Sequence, residues 1–136
     1  MKEQIKTIQI IHLALTLGLV LAYYFLAEID SLEDLIIFPA IDKNSIVYLL
    51  IPFVAYIFSN FMFKNMLSKI DTKLKIEENL GAYQTASLVR WAILEGAAFI
   101  IITNKPDFIL FGVLLIVYLA ILRPSENNIT SHLKNL

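Results

Sequence analysis

Residues 108–122 read FILFGVLLIVYLAIL, a run with no charge and one side-chain hydroxyl, that of Tyr118. A helix in a soluble bundle keeps a polar stripe for water, and this run has nothing to make one from. A membrane β-barrel strand alternates polar and apolar residues, and this run does not. It therefore reads as a helix that crosses a bilayer. It is short for that task, and its flanks extend it: Pro106 suits a first helical turn after Asn104, and Arg123 can snorkel to the interface.

Three further runs are of the same kind. They cover about 7–27, 45–63 and 82–103, each near the 20 or so apolar residues that a bilayer core of roughly 30 Å requires. Between them these four runs account for a composition that is 58% hydrophobic and 17% charged, well away from a soluble domain. The expected fold is all-α, an integral membrane four-helix bundle in one domain, with short interfacial helices. The first run is too long, and lacks a small-residue cleavage pattern before Glu28, so it reads as an uncleaved helix.

Basic residues favour the cytoplasmic side. Lys2, Lys6, Lys64, Lys69, Lys73, Lys75, Arg123 and Lys134 fall on one side of the four runs, and only Lys43 and Lys105 on the other. Both termini are therefore expected in the cytoplasm. The outer loop holds Ser31 and Asp34 ahead of apolar residues, which predicts a short interfacial helical turn. In the inner loop, Met66, Ile70, Lys73 and Leu74 have helical spacing, as in an extension of the second helix or an amphipathic helix on the headgroups. Gly81 is expected to start the third helix afresh. The cytoplasmic tail, 124–136, opens on Pro124 and Ser125. Ile129, Leu133 and Leu136 then share one face, which predicts a short amphipathic helix.

The third run carries two charges, Arg90 and Glu95, within SLVRWAILEGAAF. Each costs roughly 2.5–3.5 kcal/mol at mid-membrane, so neither should face lipid. A rise of 1.5 Å per residue puts Arg90 about 13 Å and Glu95 about 20 Å from the cytoplasmic boundary. Five residues apart, they point about 140° from one another and make a poor intrahelical pair. Partners must come from elsewhere. At matching depth stand His12 and Thr16, then Tyr56, Ser59 and Asn60, then Tyr118, with Ser87 one turn before Arg90. Together these outline a candidate polar site in the cytoplasmic half. Ala92 and Gly96 form a small-residue seam that allows close helix approach. Pro52 removes one backbone hydrogen bond inside the second helix.

Several chemistries are excluded or unsupported. Without cysteine there is no disulfide, thiolate or sulfur-ligated metal. His12 has no histidine or acid at helical spacing, so no metal site is expected. No cofactor pattern, phosphate loop or nucleophile–base set appears. A net charge of −1 gives no nucleic-acid surface.

Two resemblances follow from these residues. AILEGAAF, 92–99, resembles the carboxylate helix of rotary ATPase proteolipids, which carry ions on such a carboxylate. The likeness spans eight residues, and the chain departs from it in having four glycines in all and in carrying Arg90. The whole layout, with RWAILEG at 90–96 and LRPS at 122–125, resembles small four-helix membrane proteins of Bacteroidetes-type bacteria. That resemblance implies the fold and an inner-membrane location, and no activity.

The expected function is a non-enzymatic accessory or interaction subunit, working in the lipid bilayer as a homo-oligomer or within a larger membrane complex. The rival expectation is a proton- or ion-coupled transport component using Glu95 and Arg90. In liposomes with a pH-sensitive dye, that rival requires Glu95→Gln to abolish flux; unchanged flux removes the carboxylate from any such role.

Overall fold

The computed structural model describes residues 2–26, 39, 41–70, 73–104 and 106–134. Among them there is no strand. The helices are α1 (Lys2–Leu26), α2 (Ile46–Ser68), α3 (Ile76–Asn104), α4 (Ile109–Ile121) and α5 (Glu126–Lys134), with a 3-10 turn at Pro106–Phe108 before α4. Three of them, α1, α2 and the Glu78–Asn104 part of α3, are long and apolar enough to cross a membrane. A fourth span is reached only if α4 and α5 are counted together, and these two are bent by 81°.

The helix at the centre is α3, which packs against α1, α2, α4 and α5. Its buried Leu94, Ala98, Ile101 and Ile102 meet a core that includes Ile8 and Leu19 of α1, Phe63 of α2, and Leu115 and Leu119 of α4. The opposite surfaces are apolar as well. Leu13, Leu17, Leu21 and Phe25 on α1, Phe53, Ile57 and Phe61 on α2, and Val117 and Ile121 on α4 are all exposed. A soluble protein does not present so much contiguous apolar surface. Lipid solvates it without penalty. Helices suit lipid because they satisfy their own backbone groups.

The helix boundaries differ from expectation in two places. Gly81 does not restart the third helix; α3 begins at Ile76 and passes straight through it. The cause lies just upstream, where Leu80 is 1% exposed and Asn79 is also buried. Packing of that turn outweighs the cost of about 1 kcal/mol for a glycine in a helix interior. The expected extension of the second helix forms only in part: α2 runs on past Phe63 through Met66 but does not reach Ile70. The chain leaves α2 at Ser68, and the Lys69 amide bonds back to the Met66 carbonyl at 3.3 Å. Lys73 and Leu74 are non-helical, with Leu74 exposed. Residues 71–72 lie outside the described residues. So does the outer-loop segment around Ser31 and Asp34.

Elsewhere local chemistry and structure agree. The chain enters α2 through a turn in which Asp42 Oδ1 accepts the Ser45 amide at 2.8 Å and the Asn44 amide at 3.0 Å. The helix then runs unbroken through Pro52, which is buried. At the tail, Ser125 Oγ accepts the Asn128 amide at 3.1 Å, an N-cap bond. Ile129 and Leu133 are buried where α5 meets α3. The tail helix is thus amphipathic, as its spacing predicts, and its apolar side is spent on the protein itself.

Candidate functional site

The polar residues singled out by the sequence separate into two groups around α3. The first belongs to α1 and α4. His12 is 4% exposed, and its Nε2 lies 2.7 Å from the Leu119 carbonyl. A carbonyl only accepts, so Nε2 carries the proton and the ring is held in that form. Leu119 sits in the last turn of α4, where its carbonyl also accepts the Leu122 amide at 3.2 Å. The same ring meets Trp91 of α3 edge-on, with centroids 4.9 Å apart. Thr16 is one turn along α1 and donates to the His12 carbonyl at 2.9 Å. A cavity of about 440 Å³ opens here, lined by Lys6, Gln9, His12, Thr16 and Arg123 with apolar neighbours. His12 and Thr16 do not reach Arg90 or Glu95 through any recorded bond; the histidine serves the end of α4 instead.

The second group belongs to α2, α3, α4 and α5. Asn60 Nδ2 donates to the Tyr56 carbonyl and to Tyr118 Oη, both at 2.8 Å. The rings of Tyr56 and Tyr118 stand 5.0 Å apart. These three expected site residues therefore do come together. Ser87 is buried and hydrogen-bonds the Tyr83 side chain. Arg90 is half-buried, and its guanidinium lies 4.3 Å over the Phe63 ring. Its Nε is buried and has no hydrogen-bond partner among the described residues. A cavity of about 510 Å³ opens beside it, lined by Asn60, Phe63, Lys64, Leu67, Ser68, Arg90, Ser131 and His132.

Glu95 does not line that cavity. It is half-buried and makes no ion pair or hydrogen bond with a described residue. The two charges of α3 thus lie on separate flanks, as a five-residue spacing dictates.

The seam next to Glu95 is open. Ala92 and Gly96 are exposed, and a Cβ added at Gly96 would meet nothing within 4 Å. They floor an apolar groove between α2 and α3, walled by Val47, Leu50, Val54 and Phe58 among others. No described helix fills it. The expectation that these small residues pack against a neighbouring helix is not met within the chain.

Sequence reasoning missed the cationic character of both cavities. Lys64 and His132 join Arg90 in one; Lys6 and Arg123 join His12 in the other. No acidic residue among those described lines either. Part of this was available, since Lys64 falls one turn after Asn60. His132 was not, because α5 must first fold back onto α3. Among the described residues, no group of three or more His, Cys, Asp or Glu stands close enough to hold a metal ion. Comparison with protein-family models, curated proteins and solved structures finds no match to this chain.

Proposed function

We propose that this chain is a non-enzymatic accessory or interaction subunit of the bacterial inner membrane. In this reading it is a four-span bundle with cytoplasmic termini that associates through α3, with a second copy or within a larger complex. The observation that carries the reading is the open seam beside a carboxylate that has no partner among the described residues. Ala92 is three residues before Glu95, a spacing that puts them on adjoining parts of one face. An intramembrane charge is costly unless it is paired. Small residues at that place let another backbone come close enough to supply the missing donor.

The test is light scattering of the full chain purified in mild detergent, with co-purified proteins identified. The wild type is expected as a dimer or larger, or with a partner bound. Gly96→Leu closes the seam and should release the monomer. Glu95→Leu should weaken association roughly tenfold, the equivalent of 1–2 kcal/mol for an interhelical hydrogen bond. A wild type that is strictly monomeric and carries nothing with it overturns the proposal.

A further inference from the structure

The cavity at Arg90 has a chemistry of its own, independent of whether the chain associates through its seam. We infer that it binds a phosphate ester group, with Arg90 as the inner contact and Lys64 and His132 at the mouth. Three observations converge on this.

The first is the state of the guanidinium. Phe63 covers its face at 4.3 Å. A guanidinium held by its face keeps its N–H groups in the plane, directed outward as a fork. That fork matches two oxygens of a phosphate. Nε is buried with no acceptor among the described residues, a cost that an anion held by the outer nitrogens would offset.

The second is the charge of the lining. Arg90, Lys64 and His132 face one cavity that no acid among the described residues lines. His132 Nδ1 donates to the Asn128 carbonyl at 2.7 Å, so Nε2 is the nitrogen left for a ligand. The other polar groups are committed. Asn60 gives its amide to Tyr56 and Tyr118, and Ser68 gives its hydroxyl to the Asn65 carbonyl at 2.6 Å. The free donors are therefore those of Arg90 and Lys64, both cationic, and an anion is what they lack.

The third is size and place. About 510 Å³ far exceeds the share of one water, about 30 Å³, and leaves room for a phosphate with a substituent. Lys64 and Ser68 lie in the last turns of α2, where a span meets the headgroup layer. A lipid headgroup and a free phosphate present the same group, and they are separated by experiment.

The full chain in mild detergent is titrated with dioleoyl phosphatidic acid, phosphatidylglycerol, phosphatidylcholine or inorganic phosphate. Bound ligand is read by native mass spectrometry and stability by the thermal midpoint. The anionic lipids are expected to stay bound and raise the midpoint, and phosphatidylcholine is not. Arg90→Gln should weaken binding about tenfold or more, from the loss of a charged hydrogen bond. Lys64→Gln should weaken it about fivefold. Lys69→Gln makes the same change of charge outside the cavity and should leave binding as it was. Stabilisation by inorganic phosphate alone, lost in the same variants, assigns the site to a free phosphate. Equal lipid retention in Arg90→Gln, Lys64→Gln and Lys69→Gln overturns the site, as does a wild type that no phosphate compound stabilises. If Arg90→Gln does not fold, Lys64→Gln at the exposed mouth decides alone.

Discussion

Gly112→Ala is expected to destabilise the protein by about 2–5 kcal/mol, although alanine is the better helix former. A Cβ at that position of α4 would fall 1.8 Å from Tyr23 Oη and 2.6 Å from Cζ. Tyr23 comes from α1, is 3% exposed, and donates its hydroxyl to the Ala98 carbonyl of α3 at 2.5 Å. The ring is a wedge between three helices. Moving it costs about 1–3 kcal/mol in overpacking, and a buried hydroxyl without its acceptor costs about 1–3 kcal/mol more. A double-mutant cycle separates this from any general weakness of α4. With Tyr23→Ala in place, the clash is gone and Gly112→Ala should be neutral or stabilise by up to about 1 kcal/mol. Unfolding by SDS titration gives both values. An equal loss in the two backgrounds would falsify the wedge.

The second large effect is expected at Trp91. This ring is 2% exposed and backs His12, which in turn holds the Leu119 carbonyl. In water, Trp→Ala at a buried position costs about 3–5 kcal/mol. In a bilayer the unfolded helices stay in lipid, so the transfer part is largely absent and the packing part remains. About 2–3 kcal/mol is therefore expected for Trp91→Ala in the same SDS titration. His12→Leu should cost about half as much, since it removes one hydrogen bond and one ring contact. A loss below about 1 kcal/mol for Trp91→Ala would show that the α1–α3–α4 junction is held elsewhere.

The helices were legible because their signal is long and local. A run such as 108–122 excludes its alternatives by composition alone. The tail helix was legible for a similar reason: Ser125 caps it, and Ile129 and Leu133 repeat at helical spacing. Gly81 misled, because glycine is a local signal and the burial of Leu80 that overrides it is not. The depth arithmetic correctly joined Asn60 to Tyr118, which meet across two helices at 2.8 Å. It grouped His12 with them as well, and that grouping fails. Depth fixes height in the bundle and leaves azimuth open, and His12 points to the end of α4. The 140° between Arg90 and Glu95 was readable from spacing, and it is why they face different surroundings. What each faces depended on neighbours that no periodicity names. Lys64 reaches the Arg90 cavity from α2, and His132 reaches it only because the chain bends by 81° after α4.

If α4 is the fourth span of the proposed bundle, its length has an effect on the lipid around the molecule. Its thirteen residues rise about 20 Å, and the 3-10 turn before it adds about 6 Å. A hydrocarbon layer of roughly 30 Å is thicker than that. The exposed Leu114, Val117 and Ile121 thus offer the acyl chains a shorter wall than α1 and α2 do. In the proposed four-span bundle the bilayer would have to thin along this one flank, at a fraction of a kcal/mol per ångström of mismatch. Such a dimple is shared most cheaply with another protein whose span is also short. The α4 flank would then draw neighbours by membrane elasticity, before any side chain touches them.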